Sequence, residues 1–464
     1  MAGISTSQSI LSMLKVWYKD GVENLMFRNS PLLKKLNKVR VEGKSQNFSA
    51  MYGRGGAVGG SFTAAKQRAQ NTARNVEFSV TPGQVFSVYT VNSKEVQASL
   101  SKRGAYMRVA GAKMFAAAEG FRKTMAACLY GRGYGELCSL ALEETTSIAT
   151  TGTELTLPPD AIMKIDIDSV LVFKATISNT TVKGTAVVDS INGNKVTVKA
   201  QTAAFNAADG DIICLADSMD ANGSPILPVG LDAWLPTVGN RTGSDWTTYI
   251  GTKFFNVTRN VAADRLAGAF VVGAANDKYQ KTVQELLMKV RRQGSQADMI
   301  VMNDEDWLIL ADEIATSNTY FTQTSTKEKK NAAVGFSAFA ASFSTNYVES
   351  IIDDPYCPRY KFYILDSTAV EFWSYTNTDK LDDGVAGNNP GKQDPMTMDG
   401  EGKEKDPYAL IIDDYLAVQP GSGSTDGPDT DVTLQCFGSF VVTNPSVCGV
   451  GIFKAKTDYI GYTL

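Results

Sequence analysis

The chain has 464 residues, 43% of them hydrophobic and 20% charged, and none is histidine. That length predicts roughly two to four domains, and the apolar content argues against global disorder. Without imidazole, Ser-His-Asp and Cys-His nucleophilic sites, HExxH metal sites and histidine proton shuttles are excluded, which lowers the expectation of an enzyme.

The net charge of −4 conceals a division. Residues 1–140 carry 20 Lys+Arg against 7 Asp+Glu, a balance of +13; the remainder carries 25 against 42, a balance of −17. Two readings stay open: complementarity between copies, and a solvated basic face. Six cysteines (Cys128, Cys138, Cys214, Cys357, Cys436, Cys448) form no CxxC pair, which predicts buried free thiols in a reducing compartment. The N-terminal residues do not have the pattern of a signal peptide, and no apolar run approaches the roughly 18 residues of a membrane span.

In chain order, residues 5–28 read as an amphipathic helix with Ile10, Leu14, Trp17 and Leu25 near one face. A basic segment, NSPLLKKLNKVRVEGK, follows. Residues 43–92 combine a glycine-rich stretch with Arg and Lys and two strand-like runs, VEFSV (76–80) and VFSVY (85–89). Thr81-Pro82-Gly83-Gln84 is a turn signal between those runs. The rest of this region is too polar and glycine-rich for a core, so we expect an extended arm whose partner surface lies outside its own domain.

Over 93–130, Met107, Gly111, Met114, Ala118, Phe121, Met125 and Cys128 recur at spacings of 4 and 3, a helical stripe. The stripe predicts a helix with Asn92 and Glu95 as its capping pair and Gly131 as its end, which at 1.5 Å per residue would be about 55 Å long. Residues 151–218 have an all-β texture, with Asn192-Gly193 as a hairpin signal, and predict a small inserted barrel or sandwich. Residues 219–240 read as a Pro/Gly-rich linker. A helix is expected over 277–293, then the strand ADMIVMN, the helix DEDWLILADEIA, and the strands RYKFYILD and AVEFWSYT. Residues 376–430 are loop-rich and acidic, and the C-terminal segment reads as a strand pair turning at Asn444-Pro445.

Candidate chemistry is sparse. In Gly53-Arg54-Gly55-Gly56-Ala57-Val58-Gly59-Gly60 the third glycine of GxGxxG is replaced by Val58, and no P-loop Lys-Ser/Thr follows, so a flexible arm is the better reading. Asp353-Asp354 and Asp413-Asp414 are adjacent acids that diverge on a strand, and they read as solvated loop acids. DDGVAGNN lacks the alternating ligands of a calcium loop, and the cysteine spacings give no zinc cluster. No catalytic residue, cofactor or metal is expected. Lys34, Lys35, Lys38 and Arg40 are candidates for nonspecific contacts to DNA phosphates or to an acidic neighbour.

The order of these parts resembles the major capsid proteins of tailed bacteriophages, the Hong Kong 97-like fold. SPLLKKLNKVRVEGK resembles the arm leading into the E-loop, and GGAVGGSFTAAKQRAQNTARNVEFSV resembles the E-loop itself. LYGRGYGELCSL resembles the glycine turn that closes the spine helix. KVTVKAQTAAFNAADGDIICLAD with PVGLDAWLP is similar to an inserted β-rich domain and its exit, and ADMIVMNDEDWLILADEI to an A-domain strand and helix.

The resemblance implies an α+β capsid fold with an N-arm, E-loop, spine helix, P domain and A domain, plus an inserted β-barrel domain. The implied segments are 1–42 (N-terminal arm), 43–92 (E-loop hairpin arm), 93–150 (spine helix and first part of the P domain) and 151–218 (inserted domain). They continue as 219–297 (linker and return to the P domain), 298–430 (A domain with acidic loops) and 431–464 (C-terminal P-domain strands).

It further implies a structural protein that assembles with itself into hexamers and pentamers around double-stranded DNA, with portal and decoration or scaffolding proteins as partners and no membrane. Arg54, Lys66, Arg68, Arg74, Lys102, Arg103 and Arg108 are then the candidates for intersubunit contacts. The insertion is similar to that of crAss-like phages. Alternatives are an encapsulin-type nanocompartment shell, another virion part such as a tail or portal protein, and a histidine-free carboxylate glycosidase with a binding module at 151–218.

Overall fold

The computed structural model describes residues 31–41, 43–53, 60–68, 74–92, 117, 120–140, 145–177, 180–238, 246, 253–274, 276–295, 297–317, 350–375, 410–413, 416–420 and 429–453. The helix expected over 5–28 and the acidic loops of 376–409 lie outside them, as does the 93–130 helix apart from residue 117 and the helical run 120–130. Two compact units form, and each is assembled from three separate stretches of chain.

The first unit comprises residues 1–44, 82–230 and 372–440. One of its sheets runs in the order Asn37–Arg40, Val370–Ser374, Asp429–Val442, Leu416–Pro420, Leu410–Asp413, with Gly83–Asn92 also paired to the long strand Asp429–Val442. This pairing corrects the local reading of the turn at 81–84. Val76–Val80 and Val85–Tyr89 are both extended, yet they do not form a hairpin together. Gly83 is held instead against another segment: a Cβ there would lie 2.5 Å from the Leu227 carbonyl carbon, and Gln84 N–H donates to the Ile226 carbonyl.

The β-rich part of this unit is a six-stranded antiparallel sheet in the order Glu136–Ser139, Ile212–Leu215, Val170–Lys174, Gly184–Asn192, Lys195–Ala200, Thr153–Thr156. A two-stranded ribbon, Thr146–Ile148 with Phe205–Ala207, stands beside it. Alternation places Val196, Val198 and Ala200 inside with Leu155, Leu171, Phe173, Val188 and Ile213. The ladder is an open path among the described residues. The hairpin at 192–195 centres on Gly193-Asn194, one residue later than the Asn-Gly signal. Asn192 pairs with Lys195, and Gly193 takes φ 60. Glycine at the first central position suits a type II′ turn.

The second unit comprises residues 45–81, 231–371 and 441–464. Its five-stranded mixed sheet has the order Ala269–Val272, Gly449–Ile452, Lys361–Leu365, Met299–Met302, Ser350–Asp353. Helix Tyr279–Arg292 buries Tyr279, Val283, Leu286 and Val290 at near-helical spacing and packs on the strands Ala269–Val272 and Gly449–Ile452. Gly451 has no side chain because the Phe362 ring occupies that place, 2.2 Å from where a Cβ would be. Phe362 in turn stacks on Phe453, and Phe453 on Tyr279. Burial pushes the Tyr279 hydroxyl above its ordinary pKa, with Asp306 adding to the shift.

Three further expectations are corrected. The strands on either side of Asn444-Pro445 do not pair with each other: Asp429–Val442 and Gly449–Ile452 enter different sheets, joined by the 3-10 turn Pro445–Val447. The supposed linker contributes to both cores, with Leu227 and Val229 buried in the first unit and Leu231, Trp234, Leu235 and Val238 in the second. Asp354 is no solvated loop acid. It is fully buried, its carboxylate accepting from Tyr356 N–H and its own N–H donating to the Met302 carbonyl. All six cysteines are free and buried, as their spacing indicated.

Candidate intersubunit arm

Gln46–Gly53 and Arg74–Val80 form an antiparallel hairpin, with Phe48 opposite Phe78 and Gln46 opposite Val80. Its two ends differ sharply. At the base, Phe78 and Val80 are buried, at 0% and 1% exposure. Toward the tip, Met51 is 69% exposed and Phe62, on the short helix Phe62–Arg68, is 82% exposed. Large apolar side chains left in water forgo about 2 kcal/mol each relative to burial.

The base is gripped by aromatic packing. The Phe48 and Phe78 rings stack at 5.1 Å, and Phe78 lies 5.4 Å from Trp234. Phe254 meets Trp234 edge-on at 4.9 Å, and Phe255 completes the cluster at 5.5 Å. Phe254 and Val257 exchange both backbone hydrogen bonds across Phe255-Asn256, a two-residue turn with φ 45 and 69. A bulky residue in left-handed backbone is strained. That strained turn presents the Phe255 carbonyl to Ser79 N–H at 3.2 Å, tying the turn to the arm.

Arg259 is almost wholly buried beneath this cluster. Its guanidinium lies 4.0 Å from the Phe254 ring centre and donates to the Trp234 carbonyl at 3.0 Å. Such a cation over a desolvated ring is held by the ring quadrupole as well as by hydrogen bonding. Higher on the arm, Arg265 donates to the Tyr52 carbonyl at 2.6 Å, and at the base Asn47 Nδ2 donates to Glu77 across the strands at 2.8 Å. The sequence reading missed this anchor, although the pair Phe254-Phe255 and the tryptophan in the Pro/Gly-rich segment were available signals.

Of the candidate contact residues, Lys66 is exposed on Phe62–Arg68, Arg68 ends that helix, and Arg74 is exposed at the first position of its strand. The structure therefore brings these three together on one arm. Arg54, Lys102, Arg103 and Arg108 lie outside the described residues. Lys34 and Lys35 stand on the helix Pro31–Lys35, and Lys38 and Arg40 on the strand Asn37–Arg40, which pairs beside Val370–Ser374. No metal-binding group of His, Cys, Asp or Glu occurs among the described residues, and none of their helices is long and apolar enough to cross a membrane.

No protein-family model and no curated protein matches this chain. Solved structures do. The Cyanophage A-1(L) capsid asymmetric unit superposes with TM-score 0.51 at 12% identity, over 92% of this chain and 93% of the other. This is the Hong Kong 97-like capsid fold. The capsid fold accounts for the mixed α+β architecture over nearly the whole chain. Lower similarity extends to a solved structure of Mycobacterium phage Bobi (TM-score 0.41, 8% identity, 92% and 91% covered). The holo-SrpI encapsulin of Synechococcus elongatus gives TM-score 0.38 at 8% identity, with 93% and 90% covered.

Proposed function

We propose that this chain is the major capsid protein of a tailed bacteriophage, assembling into hexamers and pentamers of an icosahedral shell around double-stranded DNA. It is a structural protein rather than an enzyme, made in the host cytoplasm and residing in the virion. The observation that carries the reading is the arm: a hairpin locked at its base by Trp234, Phe255 and Arg259, with Met51 and Phe62 exposed beyond it. An arm built this way gains its cover from a neighbouring copy. The capsid fold supports the same reading.

In this reading the segment roles are those the resemblance implies, from the N-terminal arm at 1–42 to the C-terminal strands at 431–464. Lys66, Arg68 and Arg74, with Arg54, Lys102, Arg103 and Arg108, contact acidic surfaces of neighbours. Lys34, Lys35, Lys38 and Arg40 face DNA or a neighbour. Portal and decoration or scaffolding proteins complete the assembly, and the attribution to a crAss-like phage rests on the texture of the inserted β region.

Electron microscopy of the expressed protein, with and without co-expressed phage proteins, tests the proposal. Closed shells that protect double-stranded DNA from nuclease are expected. A chain that stays monomeric under every assembly condition overturns the shell, and shells holding an enzyme cargo without DNA overturn the viral assignment. Deleting residues 53–70 should leave a folded subunit that no longer closes shells.

A further inference from the structure

Two helices of the second unit carry exposed stripes of opposite character. Helix Tyr279–Arg292 buries one face, and its outer face changes along its length. In the first half, Lys281 is neutralised by Asp277 at 2.7 Å and by Glu285 at 3.8 Å. The last turns are basic, with Lys289, Arg291 and Arg292 around Met288, which is 52% exposed. On helix Asp304–Ser317, Asp304, Leu308 and Asp312 fall four residues apart, all exposed, and Leu308 is 64% exposed. Residues at i, i+4 and i+8 line one face.

Leu308 thus lies between two acids, Asp304 and Asp312, whereas Met288 lies between Glu285, which pairs with Lys281, and the basic Arg291 and Arg292, so the two stripes carry opposite net charge. The basic helix follows the edge strand Ala269–Val272, and the acidic helix follows Met299–Met302, next to the opposite edge strand Ser350–Asp353. Like charges on the matching faces disfavour a contact of either stripe with its own copy.

We propose that these stripes meet between copies of this chain, Met288, Lys289 and Arg292 of one against Asp304, Leu308 and Asp312 of the next. Two different faces joined head to tail generate a ring when the rotation closes. The contact rests on the shell reading and names the surfaces that hold its rings together.

Charge reversal tests it on the full chain. One variant carries Lys289→Glu and Arg292→Glu, a second carries Asp304→Lys and Asp312→Lys, and a third carries all four. Each of the first two should lower the yield of closed shells at least tenfold, and the third should restore it. Co-expressing the first two gives copies that fit only in alternation, so six-membered rings should return and five-membered rings should not, as counted by native mass spectrometry.

Thermal melts establish that the subunits remain folded. Should a charge variant misfold, Met288→Ser and Leu308→Ser take its place, with the same tenfold loss expected. Wild-type shells accompanied by unimpaired variants overturn this contact and leave the shell reading standing, as does failure of the folded fourfold variant to recover. Paired two-fold dimers in place of rings overturn the head-to-tail arrangement. A wild type that forms no shell under any condition overturns the shell reading itself, and this contact with it.

Discussion

Ser79 donates its backbone N–H to the carbonyl of Phe255 at 3.2 Å, and Phe255 makes that contact from left-handed backbone, at φ 45. The aromatic contacts of its ring with Trp234 and Phe254 offset the strain of that conformation. Phe255→Ala keeps the strained φ and loses the ring, so unfolding free energy should fall by about 1–2 kcal/mol. Asn256→Gly, at φ 69, should cost no more than about 0.5 kcal/mol, because glycine adopts that backbone freely. Denaturant titration of both variants checks the contrast.

The Lys361 ammonium lies 2.8 Å from Asp232 Oδ1, with side-chain exposures of 3% and 7%. Removing one partner of a buried pair strands the other charge. Asp232→Ala should lower stability by roughly 3–5 kcal/mol, and adding Lys361→Met should recover part of that loss. A double-mutant cycle measured by thermal melting would contradict this if the double variant proved less stable than Asp232→Ala alone.

Gly230 is required by a close backbone approach. A Cβ there would stand 2.0 Å from the Cys128 carbonyl oxygen and 2.5 Å from that of Leu129. Backbone cannot swing aside as a flexible side chain does, so Gly230→Ala should cost at least about 3 kcal/mol. Gly193→Ala, where nothing lies within 4 Å of the added carbon, should cost about 1 kcal/mol through its positive φ alone. The order of the two melting temperatures is the measurement.

The buried thiols should be inert in the folded chain. Burial pushes Cys214 and Cys448 up to about 12 from an ordinary 9.0, and raises Cys128, Cys138 and Cys436 as well. A thiol reagent at pH 8 should therefore label no cysteine until denaturant is added, and all six afterwards. Because the folded values lie above the unfolded one, the stabilising contribution is complete below about pH 9. It is then lost as pH rises toward 12, since the unfolded chain ionises first. Stability that increased between pH 9 and 12 would contradict this sign.

Helix Tyr279–Arg292 was legible because its pattern is local: the 3.6-residue period that buries Val283, Leu286 and Val290 is written in consecutive residues. Met299–Met302, Lys361–Leu365 and Val370–Ser374 were legible as short apolar runs. What each strand pairs with was not. Val76–Val80 and Val85–Tyr89 flank a good turn signal, yet Gln46–Gly53 and Asp429–Val442 are their partners. The aromatic anchor of the hairpin formed by Gln46–Gly53 and Arg74–Val80 was not legible either, since Phe48, Trp234 and Phe254 are far apart in the chain.

The sequence by itself determined what is a matter of residue type. It lacks imidazole, its N-terminal third is basic against an acidic remainder, its cysteines form no CxxC pair, and its periodicities mark several of the described elements, among them Tyr279–Arg292 and Met299–Met302. Tertiary structure decided pairing and burial. Asp354, Arg259 and the Pro/Gly-rich segment around Trp234 have polar or loop-like local chemistry, yet they are buried because distant segments supply hydrogen bonds and aromatic faces. Such partners are fixed by the free energy of the whole packed unit, which no short window of sequence contains.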